Sequence, residues 1–294
     1  MNDNDFISDD RESSRASLKA IDSHVHFWHY DKKRYNWITN KMKELQQDYL
    51  PKQLELTLKR NNINGVVAVQ ADQTEVETLF LVELSKTHSF IKGVVGWVDL
   101  ADKNIHNRLQ YFSQFPIIKG WRHFIQSEGD DFFSNASFQN GISALEPYKY
   151  TFDLLIQSSQ LKSTINFVQK FPEQRFVVNH FAKPNVKEKQ LDDWKVLINE
   201  LAQSQNVSCK LSGLFTEAHW KKWSAGEFYP YLDVVFECFG THRLMYGSDW
   251  PVMLLSGMYV QWKSLLEKYM EHFSKDDIHK VFGENARHFY GFEY

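Results

Sequence analysis

The stretch Ala20-Ile21-Asp22-Ser23-His24-Val25-His26-Phe27 reads as a β-strand that ends in two histidines. In an extended chain, residues two apart point to the same side, so the His24 and His26 imidazoles converge. Seven more short apolar runs follow, at 65–71, 92–99, 118–125, 151–157, 175–180, 207–211 and 243–247. Between them lie segments of helical period, such as 75–86, 161–171, 191–202 and 259–273, with apolar residues every three or four positions. This alternation predicts a parallel sheet. No glycine-rich phosphate loop follows any strand and no composition break divides the chain. The expectation is therefore a single (β/α)8 TIM barrel over 18–294 rather than an open doubly wound sheet.

The flanks read differently. Residues 1–17 are polar and are expected to form a disordered tail. Segment 275–290 predicts one more helix on the barrel exterior, since Asp276 and Asp277 suit its start and Gly291 its end. Pro184, Pro230 and Pro251 fall after strands or before helices, where a missing amide donor costs least.

A hydrophobic content of 43% over 294 residues is ample for a large core. The net charge of -3 gives no electrostatic footprint for nucleic acid or anionic lipid. Cys209 and Cys238 form no CxxC or Cys/His cluster, which excludes a disulfide framework and a cysteine-rich zinc site. No apolar run approaches the ~20 residues of a membrane span. A cytoplasmic protein with a small-molecule partner is expected, with homo-oligomer formation left open.

In a barrel the C-terminal strand ends share one mouth, where the βα loops collect reactive groups. His24 and His26 reach it from the first strand; their bland alternative is two loop histidines. Arg243-Leu244-Met245-Tyr246-Gly247-Ser248-Asp249-Trp250-Pro251 delivers a carboxylate there, with a helix N-cap as the alternative. His180 closes the run Phe176-Val177-Val178-Asn179-His180, and a lone histidine in such a place is more often structural. Arg122 and His123 end the fourth strand; the permanent guanidinium suits an oxyanion or a substrate oxygen, or else an ion pair with Asp99 or Asp153. Gln70 and Gln157 offer hydrogen bonds or plain filling. Loops 30–48 and 126–140 are expected to shape the pocket. No G-x-S-x-G elbow occurs, which disfavours a serine hydrolase.

Five motifs in order resemble the amidohydrolase-related lactonase family: Asp22-Ser23-His24-Val25-His26-Phe27-Trp28, Gly120-Trp121-Arg122-His123, Asn179-His180-Phe181-Ala182-Lys183-Pro184, Cys209-Lys210-Leu211-Ser212-Gly213-Leu214 and Tyr246-Gly247-Ser248-Asp249-Trp250-Pro251. The resemblance implies a (β/α)8 barrel that opens lactones, the run after Arg122 leaning towards sugar-acid lactones rather than pyrone dicarboxylates. It implies Asp249, His180 and Arg122 as catalytic residues, and His24, His26, His180 and Asp249 as ligands if one divalent ion is held. Zinc suits those ligand types, and a metal-free site is the alternative. His123, Gln70, Gln157 and Trp28 are the expected substrate contacts. Rival readings are a metal-dependent decarboxylase and a hydrolase of dicarboxylate or pyrone lactones. Two departures stand out. Relatives commonly carry Asp-His-x-Gly-Lys-Pro where this chain has Asn179 and Ala182. The fourth strand offers Arg122 and His123 in place of a bridging ligand, so two metals are not expected.

Overall fold

The computed structural model describes residues 19–129 and 131–293. The expected tail at 1–17 lies outside the described residues. Eight parallel strands hydrogen-bond in sequence order: β1 Ala20–Val25, β2 Ile63–Val69, β3 Ile91–Gly96, β4 Ile118–His123, β5 Thr151–Leu154, β6 Phe176–Val178, β7 Val207–Leu211 and β8 Leu244–Tyr246. The helices that alternate with them are α1 Pro51–Arg60, α2 Glu75–Thr87, α3 Ile105–Phe112, α4 Ala136–Ser143, α5 Leu161–Val168, α6 Asp192–Ala202, α7 Leu214–Glu217, α8 Tyr229–Phe239 and α9 Tyr259–Tyr269. The chain ends in α10 Lys275–His279 and α11 Asn285–Tyr290. No helix among the described residues is long and apolar enough to cross a membrane.

Strands covered on both faces must be apolar on both, which is why Val66-Val67-Ala68-Val69 runs without a polar break and is wholly buried. The strands stop one to three residues short of the apolar runs that predict most of them. His26, Gln70, His180 and Asp249 therefore stand just past strand ends, in loop backbone.

Closure is made beyond β8. His24 and His26 flank the point where the carbonyl of His24 accepts from Asp249 N at 2.9 Å and His26 N donates to the carbonyl of Trp250 at 2.7 Å. Buried Asp22 staples the same seam, accepting from Ser248 N at 2.8 Å, His24 N at 3.1 Å and the Tyr259 hydroxyl at 2.8 Å. Barrel closure and assembly of the first and last motifs are thus one event.

The C-terminal segment corrects an expectation. It is interrupted by a wide π turn at Lys280–Glu284 and does not lie on the exterior. Ala286, Phe289, Tyr290 and Phe292 pack with the inward-facing Ile21, Val67, Val69, Val95, Val177 and Met245, forming the floor of the barrel. Asn285 pins the plug by donating to the carbonyls of Thr241 at 2.7 Å and Leu244 at 2.6 Å. The physical reason is the apolar lower interior, which would otherwise open on water.

Loop 30–48 is clamped to the β2–α2 connection. Arg34 donates to Asp72 at 2.7 Å and Glu77 at 2.9 Å, and Glu77 also accepts from the Tyr35 hydroxyl at 2.7 Å and Ala71 N at 2.9 Å. Burial pushes the Glu77 carboxyl up to about 7, against the pull of Ala71, Tyr35 and Arg34. A carboxyl raised on folding binds its proton more tightly in the folded state. Its contribution is full below the unfolded value near 4.5 and is lost as pH rises to about 7, on the order of 3 kcal/mol in all. Urea titrations from pH 4 to 7.5 should show stability falling with pH, and Glu77→Gln should flatten that slope. Identical slopes in both proteins would refute the account.

Candidate active site

The inner centre lies where β1, β6 and the closing segment meet. The Nε2 atoms of His24 and His26 are 3.2 Å apart. Asp249 Oδ1 lies 3.3 Å from His26 Nε2 and 3.8 Å from the Nε2 atoms of both His24 and His180. All four side chains are nearly or wholly buried. The Asp249 carboxylate thus faces imidazoles rather than acting as the N-cap that its position in sequence also allows.

Each imidazole is held from behind. His26 Nδ1 lies 2.7 Å from the carbonyl of Val69, which fixes a proton on Nδ1 and leaves Nε2 as a free lone pair. His180 Nδ1 meets the Ser212 hydroxyl at 2.9 Å. His24 Nδ1 meets the buried Lys210 ammonium at 3.2 Å, and Lys210 donates to Asp153 at 2.6 Å. Asp153 also accepts from the Tyr290 hydroxyl at 3.0 Å and the Asn179 amide at 3.0 Å. The floor plug and the catalytic mouth are therefore joined through one buried polar column. Asn179 suits this column because a second carboxylate beside Asp153 would repel it.

Burial holds His180 down to about 3. Burial and Lys210 together hold His24 well below the usual histidine range, and burial lowers His26 as well. The imidazoles are neutral at pH 7. Burial pushes the Asp249 carboxyl up, but His180, His26 and Lys183 outweigh it and the net direction is down, so it is ionised. Burial lowers Arg122 to about 10, which leaves it cationic.

Arg122 is aimed into the mouth by Gln70, whose carbonyl and amide oxygen both accept from Nη2, and by Asn179 Oδ1 at 3.3 Å. Its Nη1 lies 3.3 Å from His24 Nε2, and its Nε has no partner among the described residues. Neither Asp99 nor Asp153 forms an ion pair with it among the described residues.

A cavity of about 260 Å³ opens above this centre, lined by His26, Arg122, His180 and Asp249. Trp37, Met42, Gln126, Lys183, Glu217 and Trp220 complete much of its upper wall. Loop 30–48 contributes Trp37 and Met42, while among the described residues of 126–140 only Gln126 reaches the cavity. The four expected substrate contacts all lie elsewhere. His123 faces outward, 2.9 Å from Glu128 and stacked on Phe132. Gln157 is exposed and Gln70 is spent on Arg122. Trp28 lies behind the wall, packed on Trp37 and Tyr49 with its indole N–H donated to the carbonyl of Gln47. Lys183 sits inside a quoted motif and Gln126 opens a loop expected to shape the pocket, but Glu217 and Trp220 carry no sequence signal of a pocket.

The backbone that presents His180 is left-handed over four non-glycine residues, with φ of 54° at His180, 57° at Phe181, 56° at Ala182 and 51° at Lys183. Gly213 packs beneath this turn at φ 74°, where an added Cβ would stand 2.5 Å from His180 Nδ1. L-residues adopt this conformation at a cost of about 1–2 kcal/mol each. Ala182→Gly is expected to raise stability by about 1 kcal/mol, part of the gain being offset by the freer unfolded chain. Denaturant unfolding checks it, and a loss of stability would count against strain at this turn.

Fold and centre together define a (β/α)8-barrel enzyme that gathers histidines and one carboxylate at its C-terminal mouth. The family model described as Amidohydrolase matches residues 21–292, and the chain belongs to the amidohydrolase family. It is 34% identical to an L-fucono-1,5-lactonase from Burkholderia ambifaria, over 92% of this chain and 94% of that protein. It is 27% identical to an L-rhamnono-gamma-lactonase from Scheffersomyces stipitis, over 59% of each. Among solved structures, an amidohydrolase from Burkholderia multivorans with bound zinc superposes with a TM-score of 0.90 at 35% identity, covering 93% of this chain and 99% of that one.

The donor set suits an ion. His24, His26 and Asp249 each offer one ligand atom, all within 4.8 Å of one another. With neutral imidazoles and an anionic carboxylate, this fits a single divalent cation.

Proposed function

We propose that the protein hydrolyses the lactone of a sugar acid, with Asp249 as the base that activates water. The observation that carries this reading is one ionised carboxylate ringed by three neutral imidazoles, beside a buried guanidinium, at the base of a cavity of about 260 Å³. That volume lies just below the ~300 Å³ lower bound of drug-sized pockets and suits a monosaccharide-sized ligand. The similarity to sugar lactonases along most of the chain supports the same substrate class.

Hydrolysis requires that water lose a proton, that the carbonyl oxygen bear charge and that the ring oxygen be protonated as it leaves. Asp249 takes the proton as the water oxygen bonds to the carbonyl carbon. Arg122, held by Gln70 and Asn179, stabilises the developing oxyanion. The carbon–ring-oxygen bond then breaks, and Asp249 returns its proton to the alkoxide, giving a hydroxy acid, with His180 positioned beside it. His24, His26 and Asp249, with His180 at their edge, would hold a divalent ion, zinc by ligand type. When bound, such an ion supplies Lewis acidity, which polarises a carbonyl and acidifies water.

Acid release from a panel of aldonolactones by the purified protein tests the reaction. At least one six-carbon member should turn over well above the uncatalysed rate, and a panel without turnover rejects the reading. Elemental analysis with activity after chelation tests the ion. A stoichiometric metal whose removal abolishes turnover supports it, and full activity in metal-free protein removes it from the reaction.

A further inference from the structure

The upper wall of the cavity carries hydrogen-bond acceptors that the protein itself leaves unused. Gln126 lines the cavity, and its amide oxygen, shut off from solvent, has no partner among the described residues. The Glu217 carboxylate lines the cavity, and its nearest cation, Lys183 Nζ, stands 3.9 Å away, beyond hydrogen-bond length. Two tryptophans face the same space with their N–H groups already committed, Trp37 to the carbonyl of Ala71 at 2.8 Å and Trp220 to the carbonyl of Thr216 at 3.0 Å. They therefore present ring surface rather than donors.

We propose that Glu217 and Gln126 are specificity-determining residues that accept hydrogen bonds from substrate hydroxyls and commit this pocket to polyhydroxylated lactones over lactones bearing carboxylates. The proposal rests on the lactone-hydrolysing reading of the same site. Acceptors that lack protein partners in a partly buried wall call for O–H donors, because a bound substrate that covers them without pairing loses their water contacts and returns no bond. A sugar-acid lactone supplies such donors, while its C–H faces can lie on the two indole rings. A carboxylate substituent would meet the acidic side chains of Glu217 and Asp249 on the same lining as Arg122 and Lys183, whereas a hydroxyl can pair with either kind of group.

The test compares the intact protein with Glu217→Ala and Gln126→Leu on two probes, a six-carbon aldono-1,5-lactone and δ-valerolactone, which has the same ring without hydroxyls. Each variant should lower kcat/KM for the aldonolactone about 10- to 100-fold and leave δ-valerolactone within about threefold. The wild type should also prefer the aldonolactone to 2-pyrone-4,6-dicarboxylate. Binding of the two product acids, aldonate and 5-hydroxyvalerate, should show the same ratio independently of turnover. Equal losses on both probes would place these residues in the chemistry or the fold and overturn the proposal, as would no loss on either. In both of those cases lactone hydrolysis itself stands. A wild type that opens no lactone overturns the proposal together with the reaction on which it rests.

Discussion

Asp249→Asn is expected to leave a folded protein whose kcat is about 100- to 10,000-fold lower, the range over which a positioned base contributes. Asn keeps the shape of the side chain, and the backbone bond from residue 249 to the carbonyl of His24 does not depend on the carboxylate. What is lost is the only carboxylate within 3.8 Å of the three imidazoles among the described residues. Among the imidazoles His180 cannot take over as base, since it is held down to about 3 and is a poor proton acceptor. Steady-state kinetics on the best lactone, with circular dichroism to verify folding, decide the matter. Turnover within tenfold of wild type would remove Asp249 from the role of base.

Lys210→Met should produce the largest change in stability. The mutation strands the Asp153 carboxylate inside the barrel with only the Tyr290 hydroxyl and the Asn179 amide for company. Breaking a buried ion pair from one side costs about 3–5 kcal/mol, because the remaining charge is neither solvated nor paired. The midpoint of thermal unfolding should fall by roughly 6–15 °C for a chain of this size. Adding Asp153→Asn removes the stranded charge while keeping an acceptor for Tyr290, and should recover at least half of the loss. A single variant that loses less than about 1 kcal/mol, or a double variant no better than the single, would mean that the pair is not the strut its geometry suggests.

Much of the architecture is legible in one dimension because it is periodic. Runs such as Val66-Val67-Ala68-Val69 announce strands buried on both faces, and the helices between them follow from apolar spacing. His24, His26, His180 and Asp249 are legible too, since each closes an apolar run and a barrel brings such ends together. The expected substrate contacts that miss the cavity do so for separate reasons. His123 sits one residue beyond Arg122, and in a strand that single step turns a side chain from the barrel interior to the outside. Trp28 lies two residues past His26, but there the chain has left β1, and the ring packs behind Trp37 instead of beside the substrate. The terminal helix is misjudged because its length and caps are local properties, whereas the open floor it fills exists only once eight strands have closed.

The sequence by itself determined the barrel class, because it depends on periodicity, and its motifs, through their resemblance to a known family, pointed to the four residues that meet at the inner centre. Only the tertiary structure decided what holds those residues and what lies above them. The Tyr290–Asp153–Lys210–His24 column joins residues up to 266 positions apart, 290 less 24. The wall of Gln126, Lys183, Glu217 and Trp220 gathers side chains from three separate βα connections. Neither arrangement has a local signature, since burial, pairing and the aim of a side chain are set by neighbours that folding alone supplies.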